Sequence, residues 1–396
     1  VKRSKEVRCS KQNMNPKKED FNRWALKVNE RIKRHPLEMI YWESTRNCDI
    51  RCVHCGSPQE TWDKDTELST EEVLKAFKEI YDTFDLSEFK FVSITGGEPF
   101  VRKDLFEILK GLKEIGYSVI TIQTNGNYLA KHSAAIDLLI ELNIKGLGTN
   151  LDGLKDTHDS FRNLKGSYDN AVKMSSILTS AYRDKIHSTI STVVSKKNIN
   201  ELEELSISIR KINPHRWRLM PFDPIGRGSI AREYLLNASD YRVLFDFIAK
   251  ERLKYIDQKV VTQIEFACGG WLGFELEGWV RPYIWHCVAG INTLGLLYDG
   301  GIAGCSNIPR AFVEGNIKTD KILDVWNNRY DRFRNFEWKK NGDCVDCDQW
   351  KYCHGGPMHK RLPNGDMLSC LYKIYHNTKD HNAVLPEEVF SEMTGN

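Results

Sequence analysis

No run of eighteen apolar residues occurs in the chain, so a membrane-spanning helix is not expected. The front lacks an apolar signal segment too: residues 1–36 are charged and polar, which argues for a cytoplasmic protein. Neither sign of charge dominates. The 57 Lys and Arg against 54 Asp and Glu leave a formal +3, too little to imply nucleic acid as a partner. Internal repeats and low-complexity tracts are absent, and 396 residues with 41% apolar content suit a barrel-sized domain plus a smaller one.

Cysteine, by contrast, is plentiful. Eleven cysteines would mean disulfides in a secreted chain, but without a signal segment they read as cluster or metal ligands. Cys48, Cys52 and Cys55 stand in Cys48-Asp49-Ile50-Arg51-Cys52-Val53-His54-Cys55, directly after a hydrophobic run. Three thiolates on one short loop can hold three irons of a [4Fe–4S] cube and leave the fourth open for chemistry, whereas electron-transfer clusters usually carry four cysteines. The bland alternatives are zinc, which usually wants four ligands, often as two C-x2-C pairs, and unliganded thiols.

Hydrophobic periodicity places elements around this loop. Met39 to Glu43 reads as a strand, and Ser69 to Phe84 as an amphipathic helix opened by a Ser69–Glu72 capping box. Strands follow at 89–95, 118–123, 145–150, 189–194 and 217–220, with helices at 101–115, 133–142, 168–181 and 199–211 between them. Six alternating strands argue for an α/β fold with a parallel sheet, and barrel-like α/β folds place reactive loops at the carboxyl ends of the strands. Gly96-Gly97-Glu98-Pro99, Thr124-Asn125-Gly126 and Leu151-Asp152-Gly153 all fall at such ends.

The cysteine loop with these strand-end motifs resembles the radical S-adenosylmethionine (SAM) family over about residues 38 to 230. The resemblance implies a partial (β/α)6 TIM-like barrel in which SAM chelates the open iron through its amino and carboxylate groups. Gly96 and Gly97 would let the backbone approach that ligand, and Glu98 would bind its ammonium. Asn150 falls by position near the ligand's methionine end, Arg162 where an arginine grips its carboxylate, and His54 beside the adenine. Each has a plainer reading as a solvated or packing residue. The implied reaction reductively cleaves SAM to methionine and a 5′-deoxyadenosyl radical that takes hydrogen from a substrate. It needs a low-potential electron donor such as flavodoxin or ferredoxin.

A second set of cysteines resembles that family's SPASM extension over about residues 265 to 375. Cys287, Gly300 and Cys305 form C-x12-G-x4-C around an Asp299-Gly300 hairpin signal. Cys344-x2-Cys347-x5-Cys353 and the distal Cys370 follow, with Gly315-Asn316-Ile317 and Val325-Trp326 between. Two auxiliary clusters are implied: one on Cys344, Cys347, Cys353 and Cys370, where zinc is the alternative, and one on Cys287, Cys305, an earlier cysteine and a residue four after Cys353. That last position is Pro357, and Cys268 is the candidate for the earlier ligand. Three readings stay open: a three-thiolate cluster whose free iron binds a substrate thiolate, no cluster there with Cys268 as a hydrogen donor, or a water, His354 or His359 completing the set.

The expected organisation is a polar N-terminal tail over 1–36 containing the unassigned Cys9 and a barrel over 37–235. A helical connector over 236–265, an auxiliary-cluster domain over 266–375 and a tail over 376–396 follow, with a joint at Gly226-Arg227-Gly228-Ser229. SPASM-bearing relatives mostly act on peptides or proteins, so a peptide substrate with a thioether or other crosslink as product is the first expectation. Peptide epimerisation with Cys268 as donor, a small-molecule radical dehydrogenase and a non-catalytic Fe–S scaffold are the alternatives. Ser306 after Cys305, where formylglycine makers carry aspartate, counts against that branch. With about 36 residues before the first strand, a leader-binding domain is not expected to fit there, so any leader peptide would be held by a separate leader-binding protein or by the barrel itself. The aromatic segment Phe266 to Trp285 reads either as core or as a channel wall.

Overall fold

The computed structural model describes residues 16–57, 63–257 and 260–376. Seven strands pair in parallel in chain order: β1 (Met39–Glu43), β2 (Phe91–Thr95), β3 (Ile120–Gln123), β4 (Gly146–Asn150), β5 (His187–Val194), β6 (Arg216–Pro221) and β7 (Gln263–Phe266). The six expected strands lie within two residues of their expected ends, and β7 is an addition. Helices α1 (Lys18–Arg34), α2 (Thr70–Thr83), α3 (Leu105–Ile115), α4 (Asn127–Lys131), α5 (Ala134–Glu141), α6 (Lys155–Arg162), α7 (Ser167–Ala181), α8 (Leu202–Ile212) and α9 (Ala238–Ile256) accompany them. The result is a partial α/β barrel.

Why the strands curl around a space is written in their alternation. Ile40 and Trp42, Val92 and Ile94, and Ile120 and Ile122 are fully buried on the outer face, against Val73, Phe77 and Ile80 of α2 and Ile108, Leu109 and Leu112 of α3. The intervening residues Tyr41, Ser93, Thr121, Thr189 and Arg218 point the other way and line a cavity. Opposite pleats of one strand thus serve core and lumen. α2 starts where its capping box predicts: the Glu72 amide donates to Ser69 Oγ and the Ser69 amide to Glu72 Oε2, at 3.2 and 2.8 Å.

The C-terminal part extends the same sheet. β8 (Thr293–Leu296) pairs in parallel with the free side of β1, then turns through Leu297–Gly300 into antiparallel β9 (Gly301–Ala303), followed by β10 (Val313–Asn316). The Asp299-Gly300 hairpin is therefore present, with Gly300 at φ +90°. Because β8 starts at Thr293 beside Met39, Cys287 lies toward the amino end of β1, away from the end that delivers the first cysteine loop, and Cys305 packs on Gly295 in mid-sheet.

The segment expected as a polar tail contains α1, with Phe21, Ala25 and Val28 buried. Phe21 meets Trp271 edge-on at 5.6 Å and Phe274 at 4.9 Å, while Trp271 stacks on Tyr352. Most of the 266–285 aromatics are thus core, Trp285 alone of them lining the cavity. Cys9 lies outside the described residues, as does most of the 376–396 tail. No helix among the described residues is long and apolar enough to cross a membrane.

Candidate active site

The loop carrying Cys48, Cys52 and Cys55 leaves the carboxyl end of β1 and is braced from four sides. After β2, the Gly97 amide donates to Thr45 O (2.7 Å) and the Glu98 amide to Asn47 O (2.8 Å). After β3, Asn125 and Asn127 donate their side-chain amides to the two carboxylate oxygens of Asp49, at 2.5 and 3.2 Å. At α6, the Val53 amide donates to Phe161 O and Arg162 Nη1 reaches Cys52 Sγ at 3.5 Å. From the segment after β6, Arg227 donates its amide to Cys55 O and its Nε to Cys52 O, both at 2.9 Å. The stretch read as a domain joint is thus a short 3-10 turn, Gly226–Ile230, seated on the loop.

This bracing assigns the glycines a neighbour. A Cβ on Gly97 would sit 2.0 Å from Asn47 O, and one on Gly96 2.3 Å from Thr45 O. Both glycines give way to the cysteine loop's own backbone, whereas the resemblance had them give way to a ligand; Gly96 also lines the cavity. Glu98 is buried and engaged: Oε1 accepts from the Phe100 amide and Thr124 Oγ1, and Oε2 from the Asn125 amide. Burial pushes its carboxyl up to about 7, although these three donors pull the other way.

The remaining expected ligand-binding residues divide. Arg162 is held by Asp152, with Nε and Nη2 at 2.7 and 2.6 Å from Oδ2, and like Gly97 and Glu98 it does not line the cavity. Burial would raise the Asp152 carboxyl, but Arg162, His54 and His158 outweigh it and hold it below the usual range. His54 stacks on Phe161 at 4.5 Å and faces the cavity. Burial pushes it down to about 3, so it is neutral, and its Nδ1 has no hydrogen-bond partner. Asn150 ends β4 on the cavity wall.

The cavity, about 690 Å³, runs from this loop through the barrel lumen to the C-terminal cysteines. Cys268, Cys287, Cys305, Pro357 and His359 share its wall. Cys268 sits at φ +59°, and burial pushes Cys305 up to about 12, with Cys268 and Cys287 adding to the shift. His359 Nε2 is 3.2 Å from Asp223 Oδ2, whereas His354 stacks on Phe336 and lines a separate small cavity between Cys287 and Cys353. Cys344, Cys347, Cys353 and Cys370 form the other group: burial and then its three neighbours raise the Cys353 thiol. The buried Arg361 donates to Cys344 Sγ at 3.1 Å.

All ten described cysteines are free thiols. Among the described residues no three His, Cys, Asp or Glu side chains converge on a single-ion site. A cationic donor on Cys52 and another on Cys344 suit sulfur ligands that carry negative charge. The donor chemistry fits iron–sulfur clusters, and Cys48, Cys52 and Cys55 would be the ligands of the one at the barrel mouth.

Sequence reasoning missed the inward side chains of the strands. Glu43, Gln123, Arg216 and Arg218 line the cavity. The signal was a period-two alternation of polar with apolar residues, as in Ser93/Thr95, Thr121/Gln123 and Arg216/Arg218.

Comparison with known proteins agrees with this geometry. The chain matches the radical SAM superfamily over residues 42–206 and the SPASM iron–sulfur cluster-binding domain over residues 287–348. The chain belongs to the radical SAM superfamily and carries a SPASM domain. Among curated relatives it is 25% identical to the AdoMet-dependent heme synthase of Methanosarcina barkeri, over 85% of this chain and 96% of that protein. It is 29% identical to the mycofactocin maturase MftC of Mycolicibacterium smegmatis, over 82% and 79%. Its fold resembles Streptococcus suis SuiB bound to S-adenosylmethionine (TM-score 0.59, 19% identity, 86% of this chain and 79% of that one). It also resembles anSMEcpe with bound AdoMet and a peptide (TM-score 0.62, 18% identity, 91% and 96%).

Proposed function

We propose that the protein is a radical SAM enzyme that abstracts hydrogen from a peptide held in the barrel lumen and leaves a post-translational modification, a thioether or other crosslink. The observation that carries this reading is the continuity of the cavity from the cysteine loop, past a polar lumen wall, to Cys268, Cys287 and Cys305. When bound, a [4Fe–4S] cluster with an open iron supplies the electron that cleaves SAM to methionine and a 5′-deoxyadenosyl radical. The chain's own part is placement. The four-sided bracing fixes the cysteine loop, neutral His54 lines the cavity beside it, and Ser93, Thr95, Thr121 and Gln123 offer hydrogen bonds to amides.

Three thiols at the cavity wall, with Pro357 at the fourth position, favour an auxiliary cluster with an iron accessible to substrate sulfur. Cys344, Cys347, Cys353 and Cys370 would hold a fully ligated second one. A small-molecule substrate is the second reading, favoured by the guanidinium groups of Arg216 and Arg218 in the lumen and by the names of curated relatives, an AdoMet-dependent heme synthase and an Fe-coproporphyrin III synthase.

The test is anaerobic turnover with SAM and a low-potential reductant in deuterated water. A crosslink removes two hydrogens from a peptide, epimerisation through a thiol donor adds one deuterium, and absence of both methionine and 5′-deoxyadenosine refutes the enzyme reading. Cys268→Ala decides between ligand and donor: loss of about one cluster of iron supports ligation, whereas unchanged iron with altered product supports the donor.

A further inference from the structure

Charge inside the lumen is unevenly compensated. Two carboxylates line the cavity, and each has its own cation: Glu43 is bridged by Arg310 and by Arg46 (3.6 Å), and Asp223 by Lys360 (2.6 Å), with His359 Nε2 in hydrogen-bond contact. At the other end Lys145, Arg216 and Arg218 line the same cavity. Among the described residues Glu265, on neighbouring β7, is the carboxylate that faces both arginines, at 3.9 Å from Arg216 Nε and 3.4 Å from Arg218 Nε, while Cys268, Tyr41 and Tyr283 also lie near Arg218. Neither contact is a hydrogen bond, and both Nε atoms are buried without a partner.

Two guanidinium groups share one carboxylate at arm's length, and their side chains, 39% and 33% exposed, leave positive charge at the cavity wall that a bound anion would meet through the exposed ends of the guanidinium groups. SAM's carboxylate is poorly placed to do so. At about 3.3 Å per strand residue, Arg218 lies roughly 10 Å and Arg216 roughly 16 Å below the carboxyl end of β6, the end at which the cysteine loop sits. Cys268 as a thiolate would offset part of the Arg218 charge, which leaves Arg216 and Lys145 on the same wall for an anion of a second molecule.

We infer that Arg216 and Arg218 form a docking point for a carboxylate of the substrate, at the end of the lumen opposite the cysteine loop. The inference rests on the reading of the lumen as the substrate chamber, and it adds that the substrate is anionic. The carboxylate can come from an acidic peptide or from a small polycarboxylate, and the arginines act by holding it so that the atom to be attacked points up the lumen.

The test is binding without turnover, so that it stands apart from SAM cleavage, which is assayed separately. Anaerobic full-length protein is titrated with iron-coproporphyrin III and with its tetraamide, and in a second arm with an acetylated random octapeptide pool ending in carboxylate or in carboxamide. Loss of one charge-assisted pair corresponds to roughly a 10-fold to 100-fold change in affinity, so one acid should bind at least about 10-fold more tightly than its amide. Arg216→Gln and Arg218→Gln should abolish that preference, and Arg218→Lys should keep part of it. The arm that shows the preference names the source. The inference is overturned if neither acid is preferred in the wild type, a result independent of how the variants fold. It is equally overturned if the preference survives in folded glutamine variants. Intact SAM cleavage alongside either negative would leave the enzyme reading standing.

Discussion

Gly97→Ala is the sharpest perturbation of the account, because its consequence follows from backbone geometry alone. The added Cβ would lie 2.0 Å from Asn47 O and 2.6 Å from Arg46 O, both main-chain atoms of the cysteine loop. An ordinary contact needs more than 3 Å, so loop or strand end must retreat by about 1 Å, an overpacking cost of about 1–3 kcal/mol. The retreat also loosens the Gly97–Thr45 and Glu98–Asn47 hydrogen bonds, worth about 1 kcal/mol each. A displacement of that size at a reacting centre costs about 10²-fold in rate. Gly111→Ala in α3 is the control, since the nearest atoms to its Cβ belong to the Leu74 side chain, whose end can shift, and not to backbone. Iron content, the paramagnetic signal of the N-terminal cluster and 5′-deoxyadenosine release are measured for both. Gly97→Ala should lose cleavage by about 100-fold while the Cys344 group keeps its iron, and Gly111→Ala should stay near wild type. A Gly97→Ala protein with wild-type cleavage would refute the claim that bracing sets the loop.

Arg162→Gln leaves the buried Asp152 carboxylate uncompensated and should destabilise the protein by about 3–5 kcal/mol, with Asp152→Asn restoring much of it. A raised KM for SAM with unchanged stability would instead show that Arg162 serves the ligand. His158 is buried and pushed down to about 4, mainly by burial, so the stability it contributes is present above its unfolded value of 6.5 and is lost as pH falls through 4. His158→Gln should reduce the fall in unfolding free energy between pH 6.5 and 4, by an amount of order 3 kcal/mol, in denaturant titrations at each pH. An unchanged pH profile would exclude it. Phe21→Ala should cost about 3–5 kcal/mol and expose the Trp271–Tyr352 stack, read by thermal unfolding and tryptophan fluorescence. No loss would mean that α1 is not docked.

The parallel strands and their intervening helices were legible in the sequence, because hydrophobic runs, capping boxes and glycine-bearing strand ends are local signals. So was the cysteine loop. What the strand-end motifs do was not. Gly97, Asp49, Arg162 and Arg227 act on the loop through contacts between residues up to 175 positions apart, and no spacing rule reveals a carbonyl 2.0 Å from a missing Cβ. α1 was obscured by its charge: Phe21, Ala25 and Val28 carry a helical spacing, but eleven polar residues around them drown it, and the aromatic surface of Trp271 and Phe274 gives it a place to bind. Arg216 and Arg218 were passed over because a short strand of alternating polar and apolar residues reads as half-exposed, when its polar half faces an enclosed lumen.

The central claim is that Cys48, Cys52 and Cys55 hold a cluster with one iron open to SAM. The most direct measurement is electron paramagnetic resonance of the anaerobically reduced protein in which the auxiliary ligands have been replaced by alanine, before and after SAM is added. The account predicts a reduced [4Fe–4S]⁺ signal whose g-values shift on adding SAM and which disappears in Cys52→Ala. A signal indifferent to SAM, or iron retained at that site without Cys52, would contradict it.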